Sequence, residues 1–233
     1  MKIEVYVLAS NEECIMPYFL RHYCQFADII LLESCSTDRT VQLVQEVGGE
    51  VWHYDHPDEI NDQLFLDIKN NCWKESTADW VIIVDADEYV YHPNLVKMLG
   101  ETGATIFLPR LFNMFTDTFP TTSGQIYEEV TGGREGGAKM NLFRPSEIKE
   151  INYAIGCHNA HPTGNVNLSI NSEIMTLHMR HLGSDYVIDR NAKGARRLSD
   201  LNKNMGWGYH VNASPDEVRK YMSDEMTGLI KVI

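Results

Sequence analysis

Between residues 3 and 84 the chain alternates four short apolar runs with stretches of helical character, a rhythm that few folds accommodate. The runs at 3–9, 28–33, 50–54 and 80–84 read as strands, those at 3–9 and 80–84 as buried ones. Residues 13–26, 40–47 and 60–75 carry helical spacing, with Ile60, Leu64, Ile68 and Cys72 on one stripe. Pro17 fits only the first turn of its helix. Ser36, Thr37 and Asp38 offer an N-cap before residue 40, and Gly48-Gly49 closes that helix. Such alternation implies βαβ units with right-handed crossovers, and hence an α/β sandwich around a mostly parallel sheet.

The pattern changes after Arg110. Residues 112–138 are rich in Gly, Pro and Thr, show little periodicity and read as one long loop or flap. Short strands are expected at 139–144, 151–156, 166–170 and 174–178, and helices at 185–204 and 214–226. Ser214-Pro215-Asp216-Glu217 opens the last helix with a cap, a first-turn proline and two acids. No repeat, low-complexity segment or linker divides the chain, so one domain over 1–233 with an elaborated C-terminal half is expected.

Charge narrows the function. The 33 acidic and 20 basic residues leave a formal net charge of −13. A broad nucleic-acid-binding face and a polybasic membrane-docking patch are both disfavoured. A small basic site for one anionic substrate remains allowed. Cys14, Cys24, Cys35, Cys72 and Cys157 are odd in number and form no C-x-x-C, which favours reduced thiols and a cytoplasmic protein. Glu4 interrupts the early apolar stretch, so no signal peptide is read. No apolar run approaches the roughly 20 residues of a membrane span.

The strongest chemical signal is Trp80-Val-Ile-Ile-Val-Asp85-Ala-Asp87-Glu88, a buried strand that ends in carboxylates. Ligands of open α/β sheets bind beyond the carboxyl ends of the strands. Asp85 and Asp87 can there face one site, and hard cations such as Mn²⁺ or Mg²⁺ take carboxylates together with substrate phosphates. A solvated acidic turn is the alternative. Ala9-Ser10-Asn11-Glu12-Glu13 and Glu33-Ser34-Cys35-Ser36-Thr37-Asp38-Arg39-Thr40 also follow strands, and either could be a ligand loop or a plain helix cap. The histidines form three H-x-x-H pairs, His53/His56, His158/His161 and His178/His181, which admit zinc or purely structural roles. Lys69, Lys139, Arg144, Arg190, Arg196 and Arg197 are the basic residues placed to meet a diphosphate or an anionic acceptor, if they are not solvated surface groups.

In these three blocks the chain resembles the family-2-like glycosyltransferases of the GT-A fold. Asn11-Glu12 matches the Asn-Glu pair after the first strand, 33–40 matches the second block, and Asp85-Ala86-Asp87 is the D-x-D. Glu33 stands for the family's Asp and Arg39 for its Gly. The resemblance covers about the first 100 residues. It implies a nucleotide-sugar-binding half over 1–110 and an acceptor-binding half over 111–233. It implies a nucleotide diphosphate sugar, UDP-linked, contacted by Ala9, Asn11, Glu12, Glu33, Lys69, Asp85 and Ala86. It implies Mn²⁺ or Mg²⁺ held by Asp85 and Asp87, with His178 as a further ligand. The acceptor would be a saccharide or lipid-linked saccharide of a surface polysaccharide, with at most peripheral membrane contact and no nucleic-acid partner. Water must be excluded from such a reaction, so Gly124, Gly132, Gly133, Gly136 and Gly137 make 112–138 a candidate lid. Glu135, His158, Asp117 and Asp185 are the candidates for the base that deprotonates the acceptor. Three other readings stay open. A nucleotidyltransferase is disfavoured by the lack of Gly, Lys or Arg in 9–13. The others are a non-catalytic nucleotide-binding protein and a zinc hydrolase built on the histidine pairs.

Overall fold

The computed structural model describes residues 1–170 and 173–233. Its first half runs β1 (Ile3–Leu8), α1 (Met16–Tyr23), β2 (Asp28–Glu33), α2 (Thr40–Glu46), β3 (Glu50–His53), α3 (Asp62–Asn71) and β4 (Trp80–Asp85). There follow β5 (Glu88–Tyr91), α4 (Leu95–Glu101), β6 (Ile106–Phe107), β7 (Arg110–Thr116), α5 (Ile126–Glu129), β8 (Gly132–Ala138) and β9 (Leu142–Phe143). The remainder comprises β10 (Ile148–Glu150), β11 (Thr163–Gly164), β12 (Leu168–Ser169), β13 (Met175–Leu182), α6 (Ser184–Arg197), α7 (Asp200–Met205), a 3-10 turn at Tyr209–Asn212, α8 (Pro215–Met226) and β14 (Ile230–Lys231).

Two sheets organise these elements. The larger has the order β12-β6-β9-β4-β1-β2-β3. Strands β4, β1, β2 and β3 are mutually parallel, while β9 runs antiparallel to both β4 and β6. Alternate residues of β1 bury opposite faces: Val5 and Val7 join one core with Phe19 and Val44, and Tyr6 joins another with Trp73. Helices α1 and α2 thus cover one face and α3 the other, giving an α/β/α sandwich with a mostly parallel sheet. The chain reverses its direction across the sheet at β1, with β2 on one side and β4 on the other. That switch point opens a crevice at the carboxyl ends of the strands.

The second sheet has the order β14-β8-β7-β13-β5. Residues 112–138 are not one loop: β7 and β8 form an antiparallel pair there, joined through α5. Glycine disfavours strands, which hides β8, yet its neighbours need bare α-carbons. A Cβ on Gly133 would stand 2.8 Å from Met114 Sδ, and one on Gly136 would stand 2.6 Å from Asn113 Nδ2. The candidate lid therefore begins and ends in paired strands, with turns and α5 between them. The helix read at 185–204 breaks into α6 and α7, because Leu198 pairs with Ile60 and Ser199 caps anew. The strand read at 151–156 is instead a turn beside β10, and β12 covers only part of 166–170. Ser214 forms the complete capping box of α8, as its sequence predicts. No helix of the described residues is long and apolar enough to cross a membrane.

His22 of α1 is buried at 4% exposure between Val90 O, 3.1 Å from Nε2, and Tyr127 Oη, 3.4 Å from Nδ1. Burial lowers its pKa from 6.5 to about 4. The unfolded chain therefore takes up this proton first as the pH falls. The contribution of neutral His22 is complete above pH 6.5 and is lost progressively towards pH 4. It amounts to on the order of 3 kcal/mol. Unfolding free energy measured between pH 7 and pH 4 is expected to fall accordingly, with a visibly shallower slope in His22→Gln.

Candidate active site

The site lies where the two sheets meet. Asp85 is the last residue of β4 and Glu88 the first of β5, so the D-x-D turn passes from one sheet to the other. Strand β13 pairs His178 with Glu88 of β5 on one side and with Asn113 of β7 on the other. The acidic turn thus faces a histidine 91 positions later, because both belong to the second sheet.

Each carboxylate of the turn has its own basic partner. Lys69 Nζ of α3 donates to Asp85 Oδ1 at 2.6 Å, and Lys139 Nζ stands 3.8 Å from Asp85 Oδ2. Burial pushes the Asp85 carboxyl up, but the two lysines outweigh it and hold the pKa below its ordinary value. Asp87 is only 2% exposed; Arg190 of α6 donates to its Oδ2, and His178 Nε2 lies 3.5 Å from the same atom. Burial again opposes the charge, and Arg190 first, then His178, hold Asp87 well below the usual carboxylate range. Arg190 also reaches Glu12 Oε1 at 3.0 Å. Burial raises the Glu12 pKa. Glu88 accepts from Lys139 Nζ at 2.6 and 2.8 Å and from the Asp85 backbone N–H at 3.2 Å. Its role here is to fix the turn.

The two loops beside β1 and β2 are tied together. Asn11, at φ 57°, accepts through Oδ1 from the N–H of Thr37 at 2.9 Å and of Asp38 at 3.3 Å. The Glu12 N–H donates to Thr40 Oγ1 at 2.8 Å. Ala9 donates its N–H to Leu32 O at 3.2 Å, which seats the first loop on β2. Glu33 is buried, and its carboxylate accepts from the Ser36 N–H and lies 2.8 Å from His53 Nδ1. Ala86 is buried at the centre of the turn. Asn11, Cys35 and Cys157 all adopt left-handed backbone conformations, at φ 57°, 61° and 56°. Strained residues of this kind cluster at functional sites.

The candidate bases separate. His158 lies in the field of Lys139, Glu88, His178 and Asp85, and burial, then Lys139, lower its pKa. Glu135 is exposed on β8, where Arg110 grips it through two hydrogen bonds of 3.0 and 2.9 Å. Asp117 is exposed in the turn after β7. Asp185 lies in the first turn of α6, 3.6 Å from Arg219. None of these three carboxylates joins the Asp85–Asp87 cluster. His181 stacks on Phe115 at 4.4 Å, and burial lowers its pKa to about 3. His56 contacts the Pro57 carbonyl while His53 lies against Glu33, so these two have different partners, as His178 and His181 do. Among the described residues no three His, Cys, Asp or Glu side chains are grouped to hold a metal.

Two donors do converge. His178 Nδ1 lies 3.0 Å from Asn113 Oδ1, which can only accept, so Nδ1 carries the proton. Nε2 then faces Asp87 Oδ2 at 3.5 Å: a protonated ring pairs with that carboxylate alongside Arg190, and a neutral ring turns a lone pair towards it. A hydrogen-bonded second ring nitrogen is the usual support of a metal-ligating histidine. Magnesium-type sites commonly take one or two protein ligands and complete their shell with water and substrate phosphate. The residues present therefore fit a divalent cation.

A mostly parallel sheet with ligand loops after β1 and β2 and an acidic turn after β4 defines the GT-A class of fold. The chain belongs to glycosyl transferase family 2, whose sequence profile matches residues 5–166. A TPR repeat-containing protein of Synechococcus elongatus is 33% identical over 64 residues, which are 28% of this chain and 15% of that relative. Among solved structures, S. aureus TarS in complex with UDP is 14% identical with a TM-score of 0.47, over 87% of this chain and 68% of that one. Glucosyl-3-phosphoglycerate synthase of Mycobacterium tuberculosis, solved with Mn²⁺, UDP and glucosyl-3-phosphoglycerate, is 20% identical with a TM-score of 0.35, over 48% and 44%.

Proposed function

We propose that the chain transfers a sugar from a nucleotide diphosphate sugar, UDP-linked, to a hydroxyl of a saccharide or lipid-linked saccharide, in a metal-dependent reaction. The observation that carries this reading is the meeting of Asp85, Asp87, His178 and the Asn11-Glu12 loop at the switch point of the sheet. Residues 1–110 would bind the donor and 111–233 the acceptor. Five free cysteines suit a reducing compartment, and the cytoplasm is the proposed location.

The chemistry divides among named residues. Asp87 and His178 would hold Mn²⁺ or Mg²⁺. When bound, the ion supplies positive charge to the leaving diphosphate. Lys69 and Lys139 orient Asp85 towards the donor. The bond from the sugar carbon to the diphosphate oxygen breaks with its electron pair on the diphosphate, and the acceptor oxygen bonds to that carbon. An imidazole nitrogen of His158 would take the acceptor proton, a role that suits a ring whose lowered pKa keeps it neutral at pH 7.

A thermal-shift series with UDP, GDP, dTDP and CMP, each with and without Mn²⁺, tests the reading. Stabilisation by one nucleoside diphosphate that requires Mn²⁺ is expected. Gly136→Ala should weaken the Mn²⁺ dependence about tenfold, because the new methyl displaces the Asn113 amide that fixes His178. Absence of any nucleotide shift would overturn the reading.

A further inference from the structure

In a chain of net charge −13, basic side chains near the site are few, and nearly all are matched. Lys69 has Asp85, Lys139 has Glu88, Arg190 has Asp87 and Glu12, and Arg197 has Asp58 at 2.5 Å. Arg180 is the exception. Among the described residues no carboxylate or carbonyl accepts a hydrogen bond from its guanidinium. It is half-buried on β13, and with His178 it flanks the fully buried Met179. The charge that acts on it most strongly is that of Arg190, which is of like sign. The hydroxyl of Tyr186, whose field it also feels, is buried without a hydrogen-bond partner. A half-buried guanidinium with no hydrogen-bonded anion of its own, beside Arg190 whose pairing already engages Asp87 and Glu12, is costly unless a ligand brings the anion.

The position of Arg180 says which ligand. Pairing of β13 with β5 ends at His178, opposite Glu88, whereas pairing with β7 continues to Leu182 opposite Thr116. Arg180 therefore stands beyond the acidic turn on the second sheet, with Glu12 of the first loop also in its field. Around it are β7, α6, Tyr221 of α8 and His210 of the 3-10 turn. We infer that Arg180, with the Tyr186 hydroxyl, forms an oxyanion subsite for the acceptor, so that the acceptor is a saccharide bearing a carboxylate or phosphate group. This rests on the glycosyltransferase reading above. A guanidinium presents a planar fork of donors that matches either group, and the net negative charge of the chain is no obstacle to one local contact.

Glucose, glucuronate and glucose 6-phosphate serve as probes that share a ring and differ in charge. Their binding to the full chain is measured by saturation-transfer NMR and thermal shift, with and without UDP and Mn²⁺. At least one anionic sugar is expected to bind the wild type, and neutral glucose at least tenfold more weakly. Arg180→Gln should weaken the anionic sugar about 10- to 100-fold, Arg180→Lys less, and neither should change UDP affinity more than twofold. The thermal midpoint of Arg180→Gln should hold or rise, because an unmatched charge is removed; an arginine with a structural role would lower it. The inference is overturned if glucose binds as well as the anionic sugars, if neither anionic sugar binds, or if Arg180→Gln weakens UDP tenfold. The last result would assign the guanidinium to the donor diphosphate. Failure of UDP to bind the wild type, with anionic sugars still bound through Arg180, would instead overturn the donor reading and leave the oxyanion subsite standing.

Discussion

Asp87→Asn is expected to lower sugar transfer about a thousandfold while the fold persists, and Asp87→Ala to lower both transfer and stability. Asparagine keeps the shape of the side chain but loses the charge that His178 and Arg190 face. Alanine leaves Arg190 with Glu12 as its remaining carboxylate, in a setting where its loss of partner is felt. Breaking a buried ion pair from one side typically costs about 3–5 kcal/mol, and the surviving Glu12 contact places Asp87→Ala near about 3. For a chain of this length that is roughly 6–12 °C in thermal midpoint. Release of nucleoside diphosphate and a melting curve, measured on both variants, check this. Undiminished transfer in Asp87→Asn would remove Asp87 from the chemistry. The folded pKa of Asp87 lies below its unfolded value, so its contribution is complete above about pH 4 and is lost only as the pH falls through the lower folded value. Acid sensitivity between pH 4 and 6.5 should therefore trace to the buried histidines, His22 with His181 and His210, rather than to Asp87.

Glu88→Ala is expected to destabilise the fold by about 3–5 kcal/mol, more than either change at Asp87. Glu88 and Lys139 are each 3% exposed at the side chain and touch through both carboxylate oxygens. Removing Glu88 strands the lysine, whose other carboxylate, Asp85, is 3.8 Å away, and frees the Asp85 N–H. The double variant Glu88→Leu, Lys139→Met should recover about 1–3 kcal/mol of the loss, because no unpartnered charge is left behind. Urea unfolding of Glu88→Leu, Lys139→Met and the double variant, beside Glu88→Ala, closes the cycle. A loss under about 1 kcal/mol in Glu88→Ala would contradict the buried pair, since that is the range of an exposed one.

These two predictions separate residues that the sequence groups together. Asp85, Asp87 and Glu88 form one acidic run, and its local pattern is that of a single ligand cluster. In the fold, Glu88 turns inward to Lys139, Asp87 is buried against Arg190 and His178, and Asp85 is the part-exposed member of the run. Arg180 shows the converse. It drew no attention in the sequence, although its spacing of two from His178 on a strand was a usable signal. Strand β8 stayed hidden because glycine carries no strand preference, and its reason to be a strand lies in the side chains of β7 that fill the space above it.

The sequence by itself determined the alternation of strands and helices up to residue 84, the acidic end of β4 and the cap of α8. Each of these rests on residues a few positions apart, where periodicity, burial and backbone preference act directly. Only the tertiary structure decided the partners. Asp87 meets Arg190 across 103 positions, and Glu88 meets Lys139 across 51. Charge pairing of that range follows the path of the chain through the second sheet and carries no local signature. Which carboxylates are matched, which face the crevice and which cation is left without a partner were therefore settled by packing.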